Sequence, residues 1–224
     1  MYVIVVGAGR TGSTVIELAT RDDHEVVVVE RIPELAEEVS TNYDCLVINA
    51  DAASKDILAE AGIEEADALI STTASDSTNL MISMFGKQYG VETLVSSIND
   101  PENIELFEDL GVNIVESPHR LNGQYLYRAV QHPAIQDFMS IAGEAEIFEA
   151  SVEAGAPIAG LSLIDADRED LLPEETIIVA IVRANGELLI PQGETEFQAG
   201  DTVTIFARNG ARNGITEQFV GDGP

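Results

Sequence analysis

The chain has one cysteine, no tryptophan, three histidines and only two lysines, Lys55 and Lys87, among 224 residues. A lone cysteine builds neither a disulfide framework nor a zinc site. Cys45 lies in the apolar run Cys45-Leu46-Val47-Ile48, where a thiol packs as a small, inert hydrophobe. No apolar run reaches the roughly 18 residues needed to span a bilayer, and the amino terminus opens on a strand-like run with no leader pattern. Direct membrane insertion is therefore not expected. Positive charge is also scarce, since 11 Lys+Arg stand against 40 Asp+Glu for a formal net charge of −29. Such a surface repels the phosphates of nucleic acids and of anionic membranes, which argues against both as partners.

The acidic residues are spread along the chain and hydrophobic content is 45%, so the excess charge belongs to a folded protein and not to a disordered tail. Acid-rich, lysine-poor globular proteins resemble those of extreme halophiles. Self-repulsion then predicts partial unfolding or subunit dissociation in dilute buffer and recovery in molar KCl, where screening is strong. Thermal melting at the two salt concentrations checks this, and an unchanged melting temperature contradicts it.

The apolar run Val3-Ile4-Val5-Val6 is followed at once by Gly7-Ala8-Gly9-Arg10-Thr11-Gly12. A G-x-G-x-x-G pattern gains meaning only between a strand and a helix, with an acid some 20 residues on. Here Gly7 permits a tight turn, Gly9 lets the backbone approach a pyrophosphate, and Gly12 lets the helix lie close to the strand. A helix over Thr11 to Thr20 points its free N–H groups and positive dipole end at the phosphates, with Arg10 adding charge. The second run, His24 to Glu30, ends in a carboxylate 23 positions after Gly7. Glu30 accepts hydrogen bonds from ribose hydroxyls and repels a 2′-phosphate, which favours NAD(H) or an unphosphorylated adenine nucleotide over NADP(H). Arg31, beside it, works against that preference.

Further short apolar runs, at Leu46–Ile48, Ala68–Ser71, Thr93–Ser96 and Val112–Val115, alternate with stretches of helical spacing. This predicts an α/β fold with a Rossmann-type doubly wound parallel sheet of about six strands. Ligands bind beyond the carboxyl ends of such strands. Asp51, after the third strand, can accept from an adenine amino group. Ser71 to Asp76, after the fourth, bring hydroxyls and backbone N–H groups toward the phosphates or a distal ring, although Ser75 or Asp76 can instead cap the next helix, the favoured role for Asp76, which sits just before it.

Beyond Ser117 the pattern changes. The division expected is a nucleotide-binding domain over residues 1–118, a connecting helix and linker over 119–140, and a small α/β domain with antiparallel strands over 141–224. The connecting helix, Arg120 to Gln131, carries Leu121, Tyr125, Leu126 and Val130 at helical spacing, a stripe suited to a second subunit, and His132-Pro133 stops it. In the last part, strands at Ile147–Val152, Ile177–Arg183, Glu187–Pro191 and Thr202–Phe206 are expected, with a short helix opening at Leu161 to Leu163. A type I′ turn is expected at Asn185-Gly186 and a loosely held tail from Gly210.

The whole arrangement resembles the cytoplasmic regulators of potassium conductance, specifically the TrkA/KtrA-type subunits of potassium uptake systems. In the first half the likeness rests on Val6 to Gly12, Glu30, Asp51-Ala52 and Ala61-Gly62-Ile63-Glu64-Glu65-Ala66-Asp67-Ala68-Leu69-Ile70. In the second it rests on Ala154 to Leu163, Ile178 to Arg183 and Phe197-Gln198-Ala199-Gly200-Asp201-Thr202-Val203. It implies a cytoplasmic regulatory subunit, peripheral to the membrane through a potassium transporter partner, that binds NAD(H) or ATP/ADP, forms homodimers and rings, and catalyses nothing. Matching positions give the nucleotide contacts as Gly7, Ala8, Gly9, Arg10, Thr11, Gly12, Glu30, Asp51, Thr72 and Thr73. Ala50 stands where the family usually has glycine, and Ser97 where an arginine is common, which removes a phosphate or ribose contact. Some relatives carry two such units in tandem, so this single unit implies more chains per ring.

The rival reading is an NAD-dependent oxidoreductase. Such an enzyme needs a proton donor or acceptor facing the nicotinamide. Yet no Lys follows Lys87, no His follows His132 and no Tyr follows Tyr127. His132, before Pro133, suits capping or packing, which leaves His119. A DNA-reading sensor would need a basic patch, and the sequence has none.

Overall fold

The computed structural model describes residues 1–131, 135–211 and 214–221. They divide into two compact units, Met1–Asn122 and Gly123–Pro224.

In the first unit, strands β1 (Tyr2–Val6), β2 (Glu25–Glu30), β3 (Leu46–Asn49), β4 (Ala68–Ser71), β5 (Thr93–Ser97) and β6 (Ile114–Glu116) form one sheet in the order β3-β2-β1-β4-β5-β6. All pairings are parallel. Between them run helices α1 (Arg10–Arg21), α2 (Pro33–Asn42), α3 (Lys55–Glu60), α4 (Asp76–Tyr89) and α5 (Ile104–Leu110). The alternation within each central strand explains the two covered faces. Val3, Val5, Val26 and Val28 pack with Ile16 of α1 and Val39 of α2, whereas Ile4, Val6, Val27 and Val29 pack with Leu58, Ile82 and Phe107 of α3, α4 and α5. Burying every side chain of a strand requires a helix layer on each side, and this makes the sheet doubly wound. Cys45 is half-buried, and burial first and the Asp44 charge second push its thiol up, away from the reactive thiolate.

Helix α6 (Pro118–Gln131) spans the division between the units. The expected stripe is exposed in the single chain, with Leu126 67% and Val130 77% accessible. Tyr125 of that stripe also stacks on Phe138, ring centroids 5.9 Å apart. His132, Pro133 and Ala134 lie outside the described residues.

The second unit holds β7 (Ile135–Ala142), β8 (Ala145–Ser151), α7 (Leu163–Arg168), β9 (Thr176–Val182), β10 (Leu188–Leu189) and β11 (Thr202–Ala207). Its sheet is antiparallel throughout, in the order β10-β9-β11-β8-β7. Phe148, Ala150, Val203 and Ile205 face inward at alternate positions, as one covered sheet face demands.

Four local expectations are corrected. Residues 135–142, assigned largely to a linker, form β7, which turns through Gly143 into β8. The short helix starts at Leu163, because the Ser162 side chain caps it by accepting from the Asp165 N–H at 3.1 Å. Asn185-Gly186 does not form a type I′ turn, since only Gly186 takes positive φ, +85°. The Gly186 N–H bonds the Arg183 carbonyl and the Arg183 N–H bonds the Glu187 carbonyl, giving a three-residue hairpin loop with glycine in the left-handed position. Of the expected tail from Gly210, the described residues 210–211 and 214–221 are held in place. Ala211, Ile215 and Phe219 are buried in the second core, Phe219 meets Phe197 edge-on at 6.2 Å, and the Phe219 carbonyl accepts from the Glu153 N–H at 2.9 Å.

Candidate functional site

The strand order reverses between β1 and β4, and a cleft of about 370 Å³ opens beyond their carboxyl ends. That size falls in the usual range for small-molecule sites, and a switch point of this kind is where parallel sheets bind ligands. Its floor is the β1–α1 turn, contributed by Gly7, Gly9, Arg10 and Thr11. One bank carries Glu30, Arg31, Ile32 and Asp51, and the other the segments Thr72–Ser75 and Ser97–Asn99 together with Pro118 and His119.

The three glycines have different physical reasons. Gly7 takes φ +95°, which a side chain rarely tolerates. Gly12 has an ordinary helical backbone, but a Cβ there would lie 1.9 Å from the Gly7 carbonyl oxygen, so only glycine lets α1 approach β1. Gly9 has φ −67° and ψ −170°, open to any residue, and a Cβ there would meet nothing within 4 Å. The fold does not need glycine at this position, and the space kept free belongs to the cleft. No side chain caps α1 at Gly9 and no acid stands in its first turn, so the positive helix end faces the same space.

Charge points the same way. Among the described residues, Arg21, Arg128, Arg168, Arg183 and Arg208 pair with carboxylates. Lys87 donates to the Leu110 carbonyl and Lys55 sits over the Tyr89 ring. Arg10, Arg31 and Arg120 make no ion pair with a described residue, and the first two line the cleft. In a chain of net charge −29, Arg10 at the start of α1 and Arg31 just after β2 bring two cations to one cleft, an environment that attracts anions.

Of the ten residues expected at the site, Gly7, Gly9, Arg10, Thr11, Glu30, Asp51, Thr72 and Thr73 line the cleft, whereas Ala8 and Gly12 do not. Glu30 is buried, and its Oε2 accepts from the Ala8 N–H at 2.6 Å while Oε1 accepts from the Ile32 N–H at 2.8 Å. The carboxylate is thereby aimed across the mouth of the glycine turn, with lone pairs left for ribose hydroxyls. Asp51 accepts from the Ala53 N–H at 3.0 Å, closing its own turn with one oxygen.

The hydroxyl protons of Thr72 and Thr73 are engaged within the protein. The Thr72 hydroxyl donates to the Gly7 carbonyl at 2.9 Å, and both the N–H and the hydroxyl of Thr73 donate to Oδ1 of Asn79.

Helix α4 is capped by Ser75, whose hydroxyl accepts from the Thr78 N–H at 3.3 Å, and not by Asp76. Asp76 turns to the loop after β5, accepting from the Asn99 and Asp100 N–H groups and the Asn99 and Asn103 amides. Burial, the largest influence, would raise its pKa, but these donors together outweigh it and hold the carboxyl below its ordinary range. A lowered value means that its tie is complete above the ordinary carboxylate pKa and is lost only as acid protonates the folded form. Asn79, Ile98 and Asn99 are not among the expected site residues, while Asp76 is expected chiefly as a cap and Ser97 only as the place of a missing arginine. The sequence sign of Asn99 is the Asn99-Asp100-Pro101 loop signal beyond a strand end.

Among the described residues no cluster of three His, Cys, Asp or Glu suits a metal ion, and no helix is long and apolar enough to cross a membrane.

The TrkA-N domain family matches residues 3–118, and the TrkA-C domain family matches residues 147–219. The chain is 27% identical over 222 residues to the Trk system potassium uptake protein TrkA homolog of Methanothermobacter thermautotrophicus, covering 99% of this chain and 100% of that protein. It is 30% identical over 217 residues to the homolog of the same name from Pyrococcus abyssi, covering 94% of each. Among solved structures, the GsuK channel superposes with a TM-score of 0.68 at 20% identity, over 100% of this chain and 40% of that one. This chain thus spans less than half of the channel polypeptide, and at that identity the likeness shows the fold alone. With a TrkA-N domain over more than half of its length and a TrkA-C domain over most of the rest, the chain belongs to the TrkA family.

Proposed function

We propose that the chain is a nucleotide-sensing regulatory subunit of a potassium uptake transporter, cytoplasmic and held at the membrane by that partner. The observation that carries the reading is Gly9, a glycine the fold does not require, set in a cradle between a helix N-terminus and a buried carboxylate. A pyrophosphate over Gly9 would meet the N–H groups of α1 and the Arg10 guanidinium, and an adenosine ribose would meet Glu30. NAD(H) and ATP/ADP both satisfy this chemistry. The relatives are named as Trk potassium uptake proteins, and the GsuK channel has been solved bound to NAD and bound to ADP.

In this reading the nucleotide is sensed and not consumed. It shifts the partner only by binding one arrangement of the assembly better than another, with typical couplings of about 1–3 kcal/mol. Moving a transporter from mostly closed to mostly open takes about 5.5 kcal/mol, which several identical sites in a ring supply together. The exposed stripe of Leu121, Leu126 and Val130 is the surface assigned to a second copy.

One observation favours the rival oxidoreductase, namely His119 on the second bank. It stands there without the Lys or Tyr partners such chemistry commonly uses. Potassium flux through the transporter reconstituted with this subunit is expected to change with added NADH or ATP, and Glu30→Ala is expected to flatten the response. Flux indifferent to every adenine nucleotide overturns the reading.

A further inference from the structure

Helix α4 reaches both loops of the second bank with two side chains three residues apart. Asn79 is fully buried and uses its whole hydrogen-bonding capacity. Its Nδ2 donates to the Thr73 carbonyl at 3.1 Å and the Ser97 carbonyl at 2.9 Å, while Oδ1 accepts from the Thr73 N–H at 3.0 Å and its hydroxyl at 2.7 Å. Asp76 takes Asn99 on one oxygen, through the backbone N–H at 2.8 Å and the side-chain amide at 2.9 Å. Its other oxygen takes the Asp100 N–H and the Asn103 amide, each at 2.9 Å. Residues at this spacing share a helix face, so one turn of α4 fixes the segments after β4 and β5 to each other.

The two banks are therefore built separately. Glu30 ends β2, Asp51 follows β3, and neither is hydrogen-bonded by α4. A mononucleotide with its ribose at Glu30 and its phosphates over Gly9 is complete on the first bank and the floor. Only a ligand that continues beyond the phosphates lies against Thr73, Ser97 and Asn99.

Resting on the nucleotide reading above, we propose that Asp76 and Asn79 are positioning residues that hold the second bank in shape for the far half of a dinucleotide, and so set the preference for dinucleotides over mononucleotides. Neither side chain touches the ligand. Each acts through the loop it holds.

The test is calorimetric titration of the full chain and of its Asp76→Ala and Asp76→Asn variants with AMP and with NADH, in molar KCl. Asp76→Ala is expected to weaken NADH binding by about tenfold while AMP binding stays within about twofold, and Asp76→Asn, which keeps an accepting oxygen, is expected to fall between. A merely structural role would weaken both ligands together, and that result overturns the proposal, as does loss of AMP binding in Asp76→Ala. Wild-type protein that binds AMP and NADH equally overturns it while leaving the nucleotide reading intact. Wild-type protein that binds neither removes the nucleotide reading, and the proposal with it.

Discussion

Gly9→Asn is expected to abolish adenine-nucleotide binding, a loss of more than about a hundredfold or ~2.7 kcal/mol, while leaving the ligand-free fold as stable as before. Gly9 is the N-cap of α1 in an extended conformation, and asparagine is at least as good a residue there. Its Cβ meets no atom of the protein within 4 Å. The melting temperature of the ligand-free variant should therefore stay within about 2 °C of wild type or rise slightly. The same side chain fills the cradle and competes for the N–H groups that would meet phosphate oxygens. Retained affinity would mean that the phosphates do not lie over this turn.

Gly12→Ala should show the reverse pattern. Its Cβ would lie 1.9 Å from the Gly7 oxygen, 2.7 Å from Thr72 Oγ1 and 2.9 Å from the Gly7 carbonyl carbon. Two of these atoms are backbone, so α1 must move away from β1 as a body. Overpacking of this kind costs about 3 kcal/mol, which for a chain of this length lowers the melting temperature by about 6–12 °C. The displaced helix also carries its N-terminus away from the cleft, so binding weakens as well. A variant that melts with wild type would show that the close approach of α1 to the turn is not required. Taken together, the two glycines separate what the fold demands from what a ligand demands.

The first unit is legible in the sequence because its signals are local. A buried parallel strand writes itself as a run such as Val26 to Val29, and the glycine turn and Glu30 follow at fixed distances from strands already located. What is not legible depends on partners far along the chain. Ile215 and Phe219 stand among polar residues and glycines, and it is the second unit's core, distant in sequence, that buries them, with Phe219 edge-on to Phe197. Asn185-Gly186 carries the dipeptide of a type I′ turn, but the pairing of Val182 with Leu188 leaves too long a loop for a two-residue turn. At the site, Thr72 and Thr73 line the cleft, yet the direction of their hydroxyls is set by Gly7 and Asn79, which the sequence does not reveal. Asn79 reads as one more polar residue on a helix. Its burial, and its hold on two loops, follow from β4 and β5 lying side by side.

The most direct measurement is titration of the wild-type chain with NADH in molar KCl, followed by recovery of the nucleotide from the cell. A saturable heat with one site per chain and NADH recovered unchanged is the result expected of a sensor. No heat with NADH, NAD, ATP or ADP, or NADH returned oxidised, would contradict it.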